Sequence, residues 1–399
     1  MICKDEVVKT FFVVTALAEI VMLAALFLAG RKHVLAGLRA AYGGVVRLGN
    51  EPRAAMIIPV TGDNAATRAG IESLLAQDYA NLRYVLVTRD EADPATAFVR
   101  GLIGSRGDAV HLVSGAASRC GQKNHNLLAG VEHVGAGAEI FIFCDSTHVA
   151  RPDLARLLIA PIAGGLASLC AGFHRVVPLD GRVATLGMQN VNMALHCLQP
   201  IRAITQPWGG AMAVCRKVFE EYGVAEVWAQ NIVDDFSIGP HLAKRGIRAW
   251  PVAEACLDTP LKDVTVGYWR DWLTRQLLYL KFCTPEMWLG SIVVVLLFVV
   301  PPVLAVCGVL GVLAGQAGVW WLFAAFAYAA AFTAVGMAFR SLSPRAVGGW
   351  TWTKGFFATP LMTAWCYALT WTTFTMNWRG IAYRVTWGGR VVEVLRGES

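Results

Sequence analysis

Of the 399 residues, 56 % are hydrophobic and 16 % charged, with a net charge of +7. That is too apolar for an ordinary soluble protein and too long for a bare anchor, so one globular domain attached to several membrane segments is expected. The positive charge lies near apolar segments, where it suits anionic lipid headgroups, and no aromatic-basic module for nucleic acid stands out.

Thr10 to Gly30 form a 21-residue run with one charge, Glu19, flanked by Lys9, Arg31, Lys32 and Arg39. The length fits a tilted span better than the core of a cleaved signal, so residues 1–35 are expected to be a retained transmembrane anchor. The basic residues after it place the following segment on the cytoplasmic side. Residues 36–53 form a short basic linker.

Residues 50–285 carry strand-like apolar runs at 54–59, 84–88 and 139–144, alternating with helical patterns at 67–77, 95–103 and 122–131. This rhythm predicts an α/β domain with an open, mostly parallel, Rossmann-like sheet. Ligands of such sheets sit beyond the carboxyl ends of the strands, and Asp90, Asp93 and Asp145 follow strands. Lys123 and Asn126 share one helical face that could reach such a ligand, although such pairs are often only solvated surface.

The run Phe141-Ile142-Phe143-Cys144 delivers Asp145 into a loop, where it suits a metal ion facing a diphosphate, or alternatively a helix cap. His148 could complete that metal site or cap the next turn. Trp208-Gly209-Gly210 reads as a tight backbone approach on the acceptor side, or an ordinary turn. Asp234 and Asp235 open a helical pattern that runs to Lys244, so one can cap while the other faces a pocket. A positioned carboxylate there can take the proton of an attacking hydroxyl, a role assigned to Asp235; helix-start charge is the structural alternative. Next, Tyr268 to Gln276 mixes aromatic and basic groups: Trp272 suits an acceptor-side or interfacial position, and Arg275 offers a bidentate fork to phosphate.

From Met287 to Phe339 there is no charge at all, enough for a transmembrane hairpin at 286–340. The last region, 341–399, has an apolar run at 355–377 interrupted by Pro360, then a basic tail with Arg379, Arg384, Arg390 and Arg396. A full crossing would place that tail outside, against the positive-inside bias, so a re-entrant or interfacial helix is expected. Ten cysteines occur singly with no C-x-x-C pair, which fits reduced thiols rather than disulfides or zinc.

Thr88 to Ala95, Gln122 to Leu127, Cys144-Asp145-Ser146, Gly210-Ala211-Met212, Asp234-Asp235-Phe236 and the tail Asn377 to Arg384 follow one another in an order that resembles ceramide glucosyltransferases and bacterial relatives, including hopanoid-linked glycosyltransferases. The resemblance covers roughly Ala54 to Leu395 and implies an inverting enzyme of the GT-A fold, multi-pass in a bacterial inner membrane. It implies a nucleotide-sugar donor, UDP-linked, with Asp93 at the nucleotide, Asp145 at the metal-diphosphate and Arg275 on the arginine of the Q/R-x-x-R-W element, and the strand-end Asp90 and the helical Lys123 and Asn126 are expected on the donor side with them. It further implies a divalent ion, Mn2+ or Mg2+, at Asp145, the base at Asp235, and a lipid hydroxyl such as that of ceramide or a hopanoid as acceptor. Departures occur where Trp272 and Gln276 flank Arg275 in the Q/R-x-x-R-W element and where Ile58 to Gly62 lacks lysine. The rivals are a processive polysaccharide synthase and a non-catalytic membrane scaffold with a decayed donor site.

Overall fold

The computed structural model describes residues 2–39 and 51–396. Most of the basic linker expected at 36–53 lies outside these residues. Helix α1 (Ile2–Arg39) precedes an alternating series: β1 (Ala54–Pro59), α2 (Ala65–Leu74), β2 (Leu82–Thr88), α3 (Pro94–Ile103), β3 (Ala109–Val113), α4 (Gln122–Val134), β4 (Ile140–Cys144), α5 (Leu154–Ala163), β5 (Leu169–Pro178), α6 (Val183–Leu198) and β6 (Ala211–Cys215). Three short helices follow, α7 (Arg216–Glu221), α8 (Val224–Trp228) and α9 (Asp235–Ala243), then β7 (Trp250–Leu261) and α10 (Val266–Cys283). The chain closes with α11 (Pro285–Leu313), α12 (Trp320–Arg340), α13 (Gly349–Thr372) and three strands, β8 (Thr375–Trp378), β9 (Ile381–Val385) and β10 (Val391–Arg396).

The main sheet has the order β3-β2-β1-β4-β6-β5-β7, and β6 alone runs against its neighbours. Successive strand side chains point to opposite faces, so β4 feeds two cores at once. Ile140, Ile142 and Cys144 pack with Met56, Ile58, Ile71, Val99 and Leu158, whereas Phe141 and Phe143 pack with Ile57, Leu127, Phe219 and Trp228. Burial on both faces explains why β4 is a continuous apolar run instead of an alternating one. Fully buried Trp228 meets Phe143 edge-on at 4.9 Å, and truncating such an aromatic costs about 3–5 kcal/mol.

Among the described residues, three helices are long and apolar enough to cross a membrane: Asp5–Arg39, α11 and α12. The segment around Pro360 does not reverse. It is one helix, α13, because a proline can be carried where neighbours supply the packing. Trp352 Nε1 donates to Gly336 O of α12 at 2.7 Å, and Tyr367 Oη donates to Trp288 O of α11 at 2.9 Å. A Cβ on Gly355 would stand 2.7 Å from Leu186 Cβ, so α13 also lies tight against α6 of the α/β domain.

The last three strands form an antiparallel sheet that docks on the α/β domain. Ile232 N donates to Gly389 O and Val391 N to Gln230 O, both at 2.9 Å, while Gln122 N donates to Tyr383 Oη at 3.2 Å.

Candidate active site

The loops after β1, β2 and β4 meet the Gly209-Gly210 turn and the start of α9 at one edge of the sheet. Gly121 begins α4 against this edge: a Cβ there would stand 2.2 Å from Ile232 O, and Asn124 Nδ2 donates to Asn231 O at 2.9 Å. That packing aims Lys123, one residue into α4, at the acidic cluster.

Lys123 Nζ lies 2.8 Å from Asp145 Oδ1 and 3.0 Å from Asp234 Oδ2, and donates to Gly209 O at 3.1 Å. Burial opposes the ammonium charge, but Asp145, Asp234 and Asp235 outweigh it and hold the lysine above its ordinary range. Asp145 is fixed by its own N–H, which donates to Gly210 O at 3.1 Å. Asp234 is fully buried, and its carbonyl accepts Trp228 Nε1 at 3.0 Å and Ser237 Oγ at 2.9 Å.

Asp235 is half-buried and oriented through both oxygens: Gly209 N donates to Oδ2 at 2.9 Å and Phe236 N to Oδ1 at 2.6 Å. Burial, then the neighbouring Asp234 charge, pushes its carboxyl up to about 7. Such a group can accept a proton near neutral pH. The two glycines are steric requirements. A Cβ on Gly209 would stand 2.1 Å from Asp234 Oδ2, and one on Gly210 would stand 2.1 Å from the Trp208 ring.

Not every expected residue converges here. Asp93 caps α3 through Ala95 N at 2.9 Å and accepts Thr61 Oγ1 at 2.7 Å and Gly62 N at 2.9 Å, so it braces the loop after β1. Asp90 pairs with Arg89 at 2.5 Å, which holds its carboxyl below the usual range. Asn126 is buried in a network with Ser114, Gln122 and the Val87 carbonyl, and Lys123 is largely buried too, in place of the solvated helical face the sequence allowed. Trp272 packs beside Trp269 and Met188 among α6, α10 and α13. Arg275 is half-buried on α10, where its charge acts on Tyr279 and Arg379.

The metal pair expected at Asp145 and His148 is not assembled. His148 Nδ1 lies 2.7 Å from Thr259 Oγ1, and the ring packs at 4.8 Å from His174 and 5.2 Å from Trp208, which itself stacks on His174 at 4.6 Å. Aromatic packing has taken the histidine, and Lys123 has taken the Asp145 oxygen. Among the described residues, no group of three or more His, Cys, Asp or Glu side chains could hold a metal ion.

A helix at 355–377 that does not cross keeps the basic tail near this site, as the positive-inside argument expects, and the tail does reach it. Arg379 Nη1 donates to Thr61 O at 2.8 Å, and Tyr383 meets the start of α4. The sequence did not show which tail side chain meets the loop after β1.

The family described as Glycosyl transferase family 21 matches residues 7–391. No curated protein matches the chain. Among solved structures, the chain is similar to a mannosyltransferase from Pyrobaculum calidifontis in complex with GDP-Man and Mn2+, at 16 % identity and a TM-score of 0.42, covering 87 % of this chain and 98 % of that one. It is also similar to GalNAc-T7 with UDP, GalNAc and Mn2+, at 12 % identity and a TM-score of 0.41, covering 59 % of this chain and 49 % of that one. A third is glucosyl-3-phosphoglycerate synthase from Mycobacterium tuberculosis, at 17 % identity and a TM-score of 0.33, covering 61 % of this chain and 82 % of that one.

Proposed function

The chain belongs to glycosyl transferase family 21, and from that premise we propose that it moves a hexose from a nucleotide sugar, UDP-linked, to a lipid hydroxyl with inversion at the anomeric carbon. The observation that carries this is the geometry of Asp235, held by two backbone N–H groups beside the Lys123, Asp145 and Asp234 cluster.

In this mechanism the acceptor hydroxyl attacks the anomeric carbon as Asp235 takes its proton, and the bond to the nucleoside diphosphate breaks in the same displacement. General base catalysis of this kind contributes about 10²- to 10⁴-fold. Lys123 and Arg275 face the charge that develops on the leaving diphosphate. The family and the resemblance imply a divalent ion, Mn2+ or Mg2+. The side chains present do not enclose one, and no step here passes through it.

Support for a lipid acceptor comes from continuity. Helix α10 carries Arg275 and passes into the membrane-length α11 across one residue, Thr284, so the wall of the site runs directly into a span. The domain would lie on the cytoplasmic face of a bacterial inner membrane, with residues 50–285 catalytic. Purified protein given a panel of nucleotide sugars and a ceramide or hopanoid acceptor should release nucleoside diphosphate in step with glycolipid. Release without lipid product, or no release from any donor, would defeat the proposal; long glycan chains would favour a processive synthase.

A further inference from the structure

We propose that Arg379, carried by the tail sheet, is a donor-binding residue that grips the diphosphate together with Arg275. This rests on the nucleotide-sugar function proposed above and extends the site to the basic tail.

The first observation is placement. Arg379 lies more than three hundred residues from Thr61 in sequence, yet its Nη1 donates to the Thr61 carbonyl at 2.8 Å and lies 3.7 Å from the position a Gly62 Cβ would occupy. Thr61 and Gly62 are the residues that Asp93 braces immediately after β1, at the sheet edge where ligands of such folds bind.

The second observation is charge. The charges acting on Arg379 are Asp145 and Asp93, which attract it, and Arg275, which repels it. Neither Arg275 nor Arg379 has an ion-pair partner among the described residues, whereas nearby Arg68, Arg89 and Arg100 each have one. Two guanidiniums that repel each other, beside an Asp145 already paired with Lys123, leave positive charge for an anion with several oxygens to absorb. A diphosphate has that shape and charge.

Backbone conformation is the third. Arg379 and Gly380 form the two-residue turn between β8 and β9 with φ of 49° and 77°. Turns of this kind favour Asn, Asp or Gly at the first position, because Cβ crowds the backbone carbonyl there and arginine lacks the short polar group that compensates in Asn and Asp. An arginine kept at such a position, with its fork on the site's loop, points to a demand for that side chain rather than for the turn.

The test uses the full-length protein in detergent, with UDP, GDP, UMP and GMP as probes in calorimetry. Wild type should prefer one diphosphate over its monophosphate, and Arg379→Gln, which can still donate to Thr61 O, should bind that diphosphate about tenfold more weakly and lose most of the preference. Arg379→Lys should fall between, because it keeps charge but loses the fork. Arg384→Gln, on the same sheet but paired with Glu393, serves as control and should match wild type. The ratio of diphosphate to monophosphate affinity is independent of the fraction folded, so a less stable variant that keeps the ratio overturns the proposal. Wild type that binds neither UDP nor GDP would instead defeat the nucleotide-sugar function itself.

Discussion

Lys123 Nζ stands 2.8 Å from Asp145 Oδ1, so the carboxylate expected to carry a metal already faces a cation from its own chain. The pairing has a consequence for added ions. The ammonium and a divalent ion compete for the same oxygen, and removing one unit charge at this range is worth well over a factor of ten even in a screened site. Lys123→Met should therefore bind Mn2+ at least about tenfold more tightly than wild type, read by electron paramagnetic resonance of the free ion. Its transfer activity should be lost at every Mn2+ concentration, because the compact ammonium beside the leaving group is gone. Equal Mn2+ affinity in the two proteins would show that Lys123 does not guard Asp145.

Asp235 gives a pH profile with a defined sign. Its carboxyl is pushed up to about 7 by burial and by Asp234, so kcat/KM should rise with an apparent pKa near 7 as the base is freed. Asp235→Asn should reduce transfer by about 10²-fold or more while nucleoside diphosphate still binds. Asp234→Asn should shift the limb in any residual activity to lower pH, since a repelling charge is removed. Stability runs the opposite way. The folded pKa is raised from 3.8, so this group's contribution is complete below about pH 4 and is lost as pH rises through about 7. Thermal melts of wild type and Asp235→Asn across that window should converge at its acid end and separate in favour of the variant at its alkaline end.

Gly209 links three parts of the site, since its N–H orients Asp235, its carbonyl accepts Lys123 and its missing Cβ leaves room for the Asp234 carboxylate. Gly209→Ala would place a methyl 2.1 Å from Asp234 Oδ2, so the Asp234 carboxylate must swing away from Lys123 or the turn must shift. We expect a destabilisation of about 1–3 kcal/mol and near-complete loss of transfer, with donor turnover suffering more than the melting point suggests. Wild-type kcat in this variant would show that the turn does not set the geometry of the base.

Helix α13 yields a topology prediction. It starts beside the end of α12, where Trp352 meets Gly336, and ends beside the start of α11, where Lys281 Nζ donates to the Thr370 and Thr373 carbonyls at 2.6 and 2.9 Å. After it, the tail sheet hydrogen-bonds to the catalytic domain, so α13 must begin and end on one side if α11 and α12 cross as a pair. Single cysteines at Glu91 and Glu393 should be labelled together by an impermeant maleimide only after the membrane is opened. Labelling of the Glu393 site alone from outside intact cells would require α13 to cross. A cysteine at Ser399, beyond the described residues, should follow Glu393.

The local periodicity of this chain determined a good deal. The apolar runs of β1, β2 and β4, the helices between them, and the long uncharged segments are written in neighbouring residues, because burial on both faces or in a bilayer needs a continuous apolar stretch whatever the rest of the chain does. The sequence also located Asp145, Asp234 and Asp235 as candidate chemistry, since strand ends and helix starts are local features. It did not reveal β5 and β7, whose runs are interrupted by polar residues such as His174 and Asp258 that only partners across the sheet satisfy, nor the five-residue β6. Nor could it show that His148 belongs to an aromatic stack, that Asn126 is buried structure, or which tail residue meets the site. Those outcomes depend on which distant groups each side chain meets: Thr259 for His148, Ser114 for Asn126, Thr61 for Arg379. A polar side chain's role is set by the partner that offsets its loss of water, and tertiary folding alone chooses that partner.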